Sequence, residues 1–184
     1  MTDCPALEKL SRIVIVGLSE GKAVEIDGLG VFYPDRNAVF RFEPYPPHRV
    51  FIAYGKEDAA CAERLYDGLE ALGFRPWMDV RKLLPGQNWP RAIENAIETS
   101  DFFVACFSTH SVNKKGGFQA ELRYALDCAR RVPLDDIFLV PVRLDDCRVP
   151  RSIQREWQYI DLFPDWETGL RQVATTMRRG AVSQ

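Results

Sequence analysis

The chain predicts a doubly wound α/β domain, a five-stranded parallel sheet with helices on both faces, preceded by a small helix and β-meander. Three observations carry this expectation. From about His48 onward, short apolar runs alternate with stretches of helical periodicity, the pattern of βα units around a parallel sheet. Residues 101–107 are apolar almost throughout, as a central strand covered on both faces must be. Ahead of this pattern Pro44, Pro46 and Pro47 punctuate the chain, because proline disfavours helix at itself and at its predecessor. The boundaries read from these signals are 1–47 for the appendage, 48–178 for the main domain and 179–184 for a tail.

In the main domain, residues 50–54 read as a first buried strand. Ala62, Leu65, Leu69 and Leu72 recur at a period near 3.6 and give a helix that Gly73 closes. Residues 74–78 form the second strand, and 79–88, with Pro85-Gly86, a loop. Asn88 or Trp89 caps the next helix, with Pro90 in its first turn and Ile93, Ala96 and Ile97 facing inward. The third strand is 101–107, followed by a helix at 117–130. A fourth strand at 137–142, a short fifth at 159–162 and a closing helix at 166–177 complete the set. Ligands of such sheets sit beyond the carboxyl ends of the strands, near the point where strand order reverses. Function is therefore expected among the loops 54–58, 79–88 and 108–118.

The appendage is patterned differently. Leu7, Leu10, Val14 and Leu18 fall at helical spacing with Gly21 as the stop. Residues 23–26, 31–33 and 38–42 read as strands, joined by turns at Asp27-Gly28 and Asp35-Arg36-Asn37. The run from Gly17 to Phe32 resembles the helix-to-hairpin stretch of the histone-like HU family, without that family's long basic arms. Residues 1–47 hold 5 basic and 7 acidic side chains, leaving 19 of each for the remainder. Phosphate binding rests on Lys and Arg, so nucleic acid is not an expected partner, and oligomerisation or docking is.

Composition narrows the class further. An apolar content of 46% with 27% charged residues supports a core. No apolar run approaches the length of a membrane span, and the first ten residues lack a secretory pattern. Five scattered cysteines with no CxxC pair, and only two histidines, argue against a disulfide framework or a metal site. A cytoplasmic protein without metal or resident cofactor is the expectation.

Four local features, in order, are similar to one family. Arg49-Val-Phe-Ile-Ala-Tyr54 is an apolar strand ending in Ala-Tyr. Gly73-Phe-Arg-Pro-Trp-Met-Asp79 precedes Leu84-Pro85-Gly86. Ser100-Asp-Phe-Phe-Val-Ala-Cys-Phe-Ser108 forms a central strand, and Phe118-Gln-Ala-Glu121-Leu opens the following helix. Together these resemble the Toll/interleukin-1 receptor (TIR) homology family of bacterial type, which implies a flavodoxin-like fold over about 49–177. In many members of that family the domain cleaves NAD+ at the nicotinamide–ribose bond, and the essential carboxylate maps onto Glu121. The resemblance also implies self-association through the loop holding Pro85-Gly86, a role in prokaryotic defence or signalling beside other defence proteins, and NAD+ as substrate.

The residues around Glu121 read consistently with this. Phe118, Leu122, Ala125 and Ala129 share one helix stripe, and Glu121 lies at its border, where a carboxylate is partly desolvated. Tyr54 and Trp77 are candidates to stack on the nicotinamide or adenine ring. Lys56, Arg81 and Lys82 are candidates for the pyrophosphate, and Trp89, Ser108 and Asp79 for the rest of the substrate. Many family members carry Trp four residues before the glutamate. Here that position is Gly117, so Phe118 is the candidate for the substrate-facing aromatic. The Phe-Trp box near the last helix is also altered, to Phe163-Pro-Asp-Trp166. A non-catalytic TIR adaptor is the competing expectation. A phosphoacceptor receiver domain is disfavoured, since the first and third strand tips read Ala53-Tyr54-Gly55 and Cys106-Phe107-Ser108 rather than aspartates.

Overall fold

The computed structural model describes residues 5–26, 29–35, 40–44, 47–112, 116–133 and 136–181. Turns expected at Asp27-Gly28 and Arg36-Asn37, and most of the glycine loop before Gly117, lie outside them. The chain divides into two compact units, Met1–Pro46 and Pro47–Gln184.

In the first unit, α1 (Pro5–Ser19) precedes an antiparallel meander of β1 (Val24–Ile26), β2 (Gly30–Pro34) and β3 (Phe40–Pro44). Among residues 8–19 of the helix, Val14, Gly17 and Leu18 are the less exposed. Strand β3 runs through Pro44, two residues past the expected end, which an edge strand tolerates because one side of its ladder is free.

The second unit holds β4 (Arg49–Ala53), a 3-10 turn (Lys56–Asp58), α2 (Ala59–Ala71), β5 (Arg75–Trp77), α3 (Asp79–Lys82), α4 (Trp89–Glu98), β6 (Phe102–Phe107), α5 (Gly117–Ala129), β7 (Leu139–Arg143), α6 (Arg151–Gln154), β8 (Ile160–Asp161) and α7 (Trp166–Ala181). All five strands are parallel, in the order β5-β4-β6-β7-β8, so strand order reverses between β4 and β6. This is the flavodoxin-like arrangement.

Side chains alternate across the sheet and fill two layers. Val50, Ile52, Phe102 and Val104 meet Leu65 and Leu69 of α2 and Val173 and Met177 of α7. Phe51, Ala53, Phe103 and Phe107 meet Ile97 of α4 and Leu122 and Ala125 of α5. Every residue of β6 is buried, and each large side chain there contributes on the order of 2 kcal/mol of apolar burial. Gly68 lets the last helix approach, since a Cβ there would come within 2.6 Å of Leu170.

Local signals explain most boundaries. Gly73, at φ 88°, ends the turn after α2 as a glycine stop should. Asn88 is the cap of α4, its Oδ1 accepting the Arg91 N–H, with Pro90 just inside the helix. Two expectations need correction, and one short helix was not foreseen. Residues 79–82 form the short helix α3 rather than loop, because Asp79 Oδ1 accepts the Val80 N–H in the first turn and Leu83 N closes onto the Asp79 carbonyl. Residues 151–154 form α6, which buries Ile153 and had no periodicity long enough to announce it. Helix α7 continues to Ala181, into the residues read as a tail.

Candidate active site

The carboxyl ends of β4 and β6 meet at the strand-order reversal, and the loops expected to carry function leave from there. Register pairs Ala53 with Ala105, so Tyr54 and Cys106 follow side by side. Beyond β4 the half-buried Tyr54 phenol donates to Asp79 Oδ1 at 2.6 Å, linking the β4 tip to the start of α3. Burial, that hydrogen bond, and the negative charges of Asp79 and Glu121 raise the phenol's pKa well above its ordinary value, so Tyr54 remains a donor.

Glu121 sits in the second turn of α5, less exposed than a surface helix glutamate. Its carboxyl is pushed up to about 7, first by burial and second by the charge of Asp79. Two carboxylates and a phenol are thereby gathered at one end of the sheet. Among the described residues, the atom that a Cβ on Gly117 would meet is Glu121 Oε1, at 3.7 Å. Glycine at this position places no side chain of its own against the carboxyl. A half-buried acid that titrates near neutrality can accept or deliver a proton, or stabilise a cation beside it.

The other candidates divide. Lys56 is exposed in the 3-10 turn after Tyr54. Arg81 and Lys82 are drawn onto α2 instead: the Arg81 guanidinium lies 4.4 Å from the Tyr66 ring centroid and 2.9 Å from Asp67, with Lys82 Nζ 5.9 Å above the same ring. Trp77 stacks on Phe51 at 4.8 Å in the α4–α5 layer, whereas Tyr54 packs against the opposite layer. Trp89 is 59% exposed at the start of α4. Phe118 is not a substrate-facing aromatic; it is buried edge-on against Phe107, because the stripe that places Glu121 at its border points Phe118 into the core. Ser108 is also buried, and its hydroxyl donates to Asp58 Oδ2 at 2.6 Å rather than facing a ligand.

Asp58 was not singled out from the sequence. It is buried and joins Ser108 to a small network, in which Ser111 Oγ accepts the Ser108 N–H at 2.8 Å and His110 Nδ1 lies 3.8 Å from Asp58 Oδ1. Its signal was present as an acid within the 54–58 tip, with Ser108 and Ser111 at the tip beside it. The network pins the β4 and β6 tips together. Among the described residues, no group of three or more His, Cys, Asp or Glu is placed to hold a metal ion. No helix among them is long and apolar enough to cross a membrane.

A parallel sheet of this order, with a half-buried glutamate near the reversal point, defines the class, and the TIR domain family model matches residues 50–174. The chain belongs to the TIR domain family. Over 71 residues it is 37% identical to the NAD(+) hydrolase PdTIR of Paracoccus denitrificans, a match covering 38% of this chain and 24% of that protein. Over 116 residues it is 27% identical to the uncharacterized protein y4cD of Sinorhizobium fredii, covering 63% of this chain and 18% of that one. The matched stretches thus span a quarter or less of these two relatives. The TIR domain of the Toll-related receptor TRR-2 from Hydra magnipapillata shares the fold, with a TM-score of 0.58 at 22% identity over 70% of this chain and 97% of that one.

Proposed function

We propose that the TIR unit cleaves NAD+ at the nicotinamide–ribose bond, with Glu121 as the essential carboxylate. The observation that carries this reading is the Glu121 carboxyl itself, partly desolvated, titrating near 7 and with no side chain at Gly117, one turn before it. The stretch of similarity to an NAD(+) hydrolase supports the same reading.

The chemistry asks little of the protein. The C1′–N bond breaks, its electron pair leaves with neutral nicotinamide, and the ribose carbon becomes oxocarbenium-like. Ionised Glu121 stabilises that positive charge, and its effect is large because few solvent dipoles compete in a half-buried site. Tyr54 stays protonated and holds Asp79, keeping the β4 tip and α3 in place beside the carboxylate. Lys56 is the cation for the pyrophosphate, since Arg81 and Lys82 are directed onto Tyr66. Water completes hydrolysis to ADP-ribose, or an atom of the same nucleotide closes a cyclic isomer.

Assembly of TIR units through the segment that holds Pro85-Gly86 activates the enzyme in this proposal, in a cytoplasmic defence or signalling role. Leu84 there is exposed at 62% and Val80 at 61%, surface that a second copy would cover. The second reading is a non-catalytic adaptor that uses the same apolar surface for TIR–TIR contact.

The deciding experiment follows NAD+ and nicotinamide by chromatography at high protein concentration, with and without a crowding agent, for wild type and Glu121→Ala. Consumption by wild type alone supports the enzyme, and the product peak separates hydrolysis from cyclisation. No consumption by either under forced assembly favours the adaptor. Equal consumption by both removes Glu121 from the mechanism.

A further inference from the structure

A cleft lies between β4, β5 and α4, with a volume of about 350 Å³. Its walls include Arg49, Arg75, Trp77, Lys82, Asn95 and Ser100, and neither Glu121 nor Asp79 lines it. The register explains how its charged end arises. Arg49 is the partner of Arg75, and Phe51 the partner of Trp77, on adjacent parallel strands. Alternation puts Arg49 on the face of Phe51, and Arg75 on the face of Trp77. Two guanidinium side chains therefore stand side by side at the amino ends of the strands, one step along the sheet from a stacked aromatic pair.

Like charges directly opposite on neighbouring strands are unfavourable unless something offsets them. Among the described residues, neither guanidinium forms an ion pair, and no carboxylate lines the cleft. Asp101, next to Ser100 in the chain, is already engaged. Its Oδ2 accepts the Arg49 main-chain N–H at 2.7 Å and lies 3.5 Å from His48 Nδ1. Asn95, Thr99, Ser100 and Gln87 supply neutral polar groups around the walls, and Trp77 is half-buried with one face on Phe51. A paired-arginine end, a polar wall and an aromatic surface in one cleft match the three chemical parts of a nucleotide: phosphate, ribose and base.

We propose that this cleft binds a mononucleotide at a site separate from the Glu121 carboxylate, with the phosphate on Arg49 and Arg75 and the base against Trp77. Paired guanidiniums favour a dianionic phosphate over a neutral nucleoside, and the aromatic surface favours a nucleotide over bare phosphate.

The probes are AMP, adenosine and inorganic phosphate, titrated calorimetrically into the full chain. AMP is expected to bind at least about tenfold more tightly than either adenosine or phosphate alone. Arg75→Gln and Arg49→Gln change exposed side chains and are each expected to weaken AMP by about tenfold or more, with unchanged thermal unfolding. Glu121→Ala is expected to bind AMP as wild type does, which separates this cleft from the proposed catalytic site. Perturbation of the Trp77 indole N–H resonance by AMP, and not by phosphate, is the accompanying spectroscopic sign. The proposal is overturned if AMP binds no more tightly than phosphate, if both arginine variants bind it as wild type does, or if Glu121→Ala abolishes binding.

Discussion

The Tyr54 phenol donates to Asp79 Oδ1 at 2.6 Å, joining the tip of β4 to the first residue of α3 across 25 positions of sequence. Asp79 Oδ1 also accepts the Val80 N–H at 2.8 Å, so one carboxylate oxygen serves both the helix start and the strand tip. Tyr54→Phe removes the long-range donor and leaves the aromatic packing. A loss of about 1–2 kcal/mol is expected, because a hydrogen bond to a charged acceptor is broken in a half-buried setting. Urea unfolding measures it, and an unchanged midpoint would mean that Val80 and water satisfy Asp79 without the phenol.

The charge of Asp79 is the second cause of the raised Glu121 pKa, after burial. Asp79→Asn removes that charge and leaves the burial. The Glu121 midpoint is therefore expected to move down from about 7 and to remain above the ordinary carboxylate range. NMR titration of a carboxyl-labelled glutamate reads this directly. A midpoint that does not move would leave burial as the sole cause.

The fold was legible because its signals are local and cumulative. The apolar run of β6, the periodicity of α2 and the Asn88 cap with Pro90 each depend on a few adjacent residues. The position of Glu121 at the border of a helix stripe was legible for the same reason. Tyr54 and Asp79 were named as candidates beside it, but their hydrogen bond to each other was not legible, because sequence spacing does not encode it. Ser108 and Phe118 were both read as facing the substrate, and both are buried. Each stands near a strand tip, yet the buried Asp58 claims the hydroxyl and Phe107 claims the ring. Arg81 and Lys82 look like free loop cations until the short α3 turns them onto Tyr66. In each case a tertiary neighbour decided what propensity left open.

Ser108→Ala tests the buried network that joins the β4 and β6 tips. Asp58 Oδ2 loses the Ser108 O–H, and the main-chain N–H groups of His110 and Ser111 lose the Ser108 oxygen that accepts them at 3.2 and 3.1 Å. Leaving a buried acid short of a donor costs about 1–3 kcal/mol. Chemical denaturation is expected to show that loss for Ser108→Ala, with Ser108→Thr keeping more of the wild-type stability. Equal stability of Ser108→Ala and wild type would mean that water replaces the hydroxyl.

Glu121→Gln separates what the carboxyl does for folding from what it does for catalysis. The folded-state pKa of about 7 lies above the ordinary value of 4.5 for an unfolded chain, so the fold prefers the protonated acid. That contribution is fully present below about pH 4.5 and is lost as pH rises through 7. At pH 8 the wild type carries an ionised, half-buried acid, and the neutral amide does not. Glu121→Gln is expected to be more stable than wild type at pH 8 by about 2 kcal/mol, a value discounted for partial exposure, with the difference vanishing near pH 4.5. Catalysis runs the other way. The ionised form is the one that stabilises an oxocarbenium-like ribose, so wild-type NAD+ cleavage should rise with pH and level off above about 7. Glu121→Gln should lose about a hundredfold or more at every pH. Thermal unfolding and NAD+ consumption measured on the same samples across pH give both curves. A variant that gains stability at pH 8 but keeps its activity would make Glu121 a buried acid without a catalytic role.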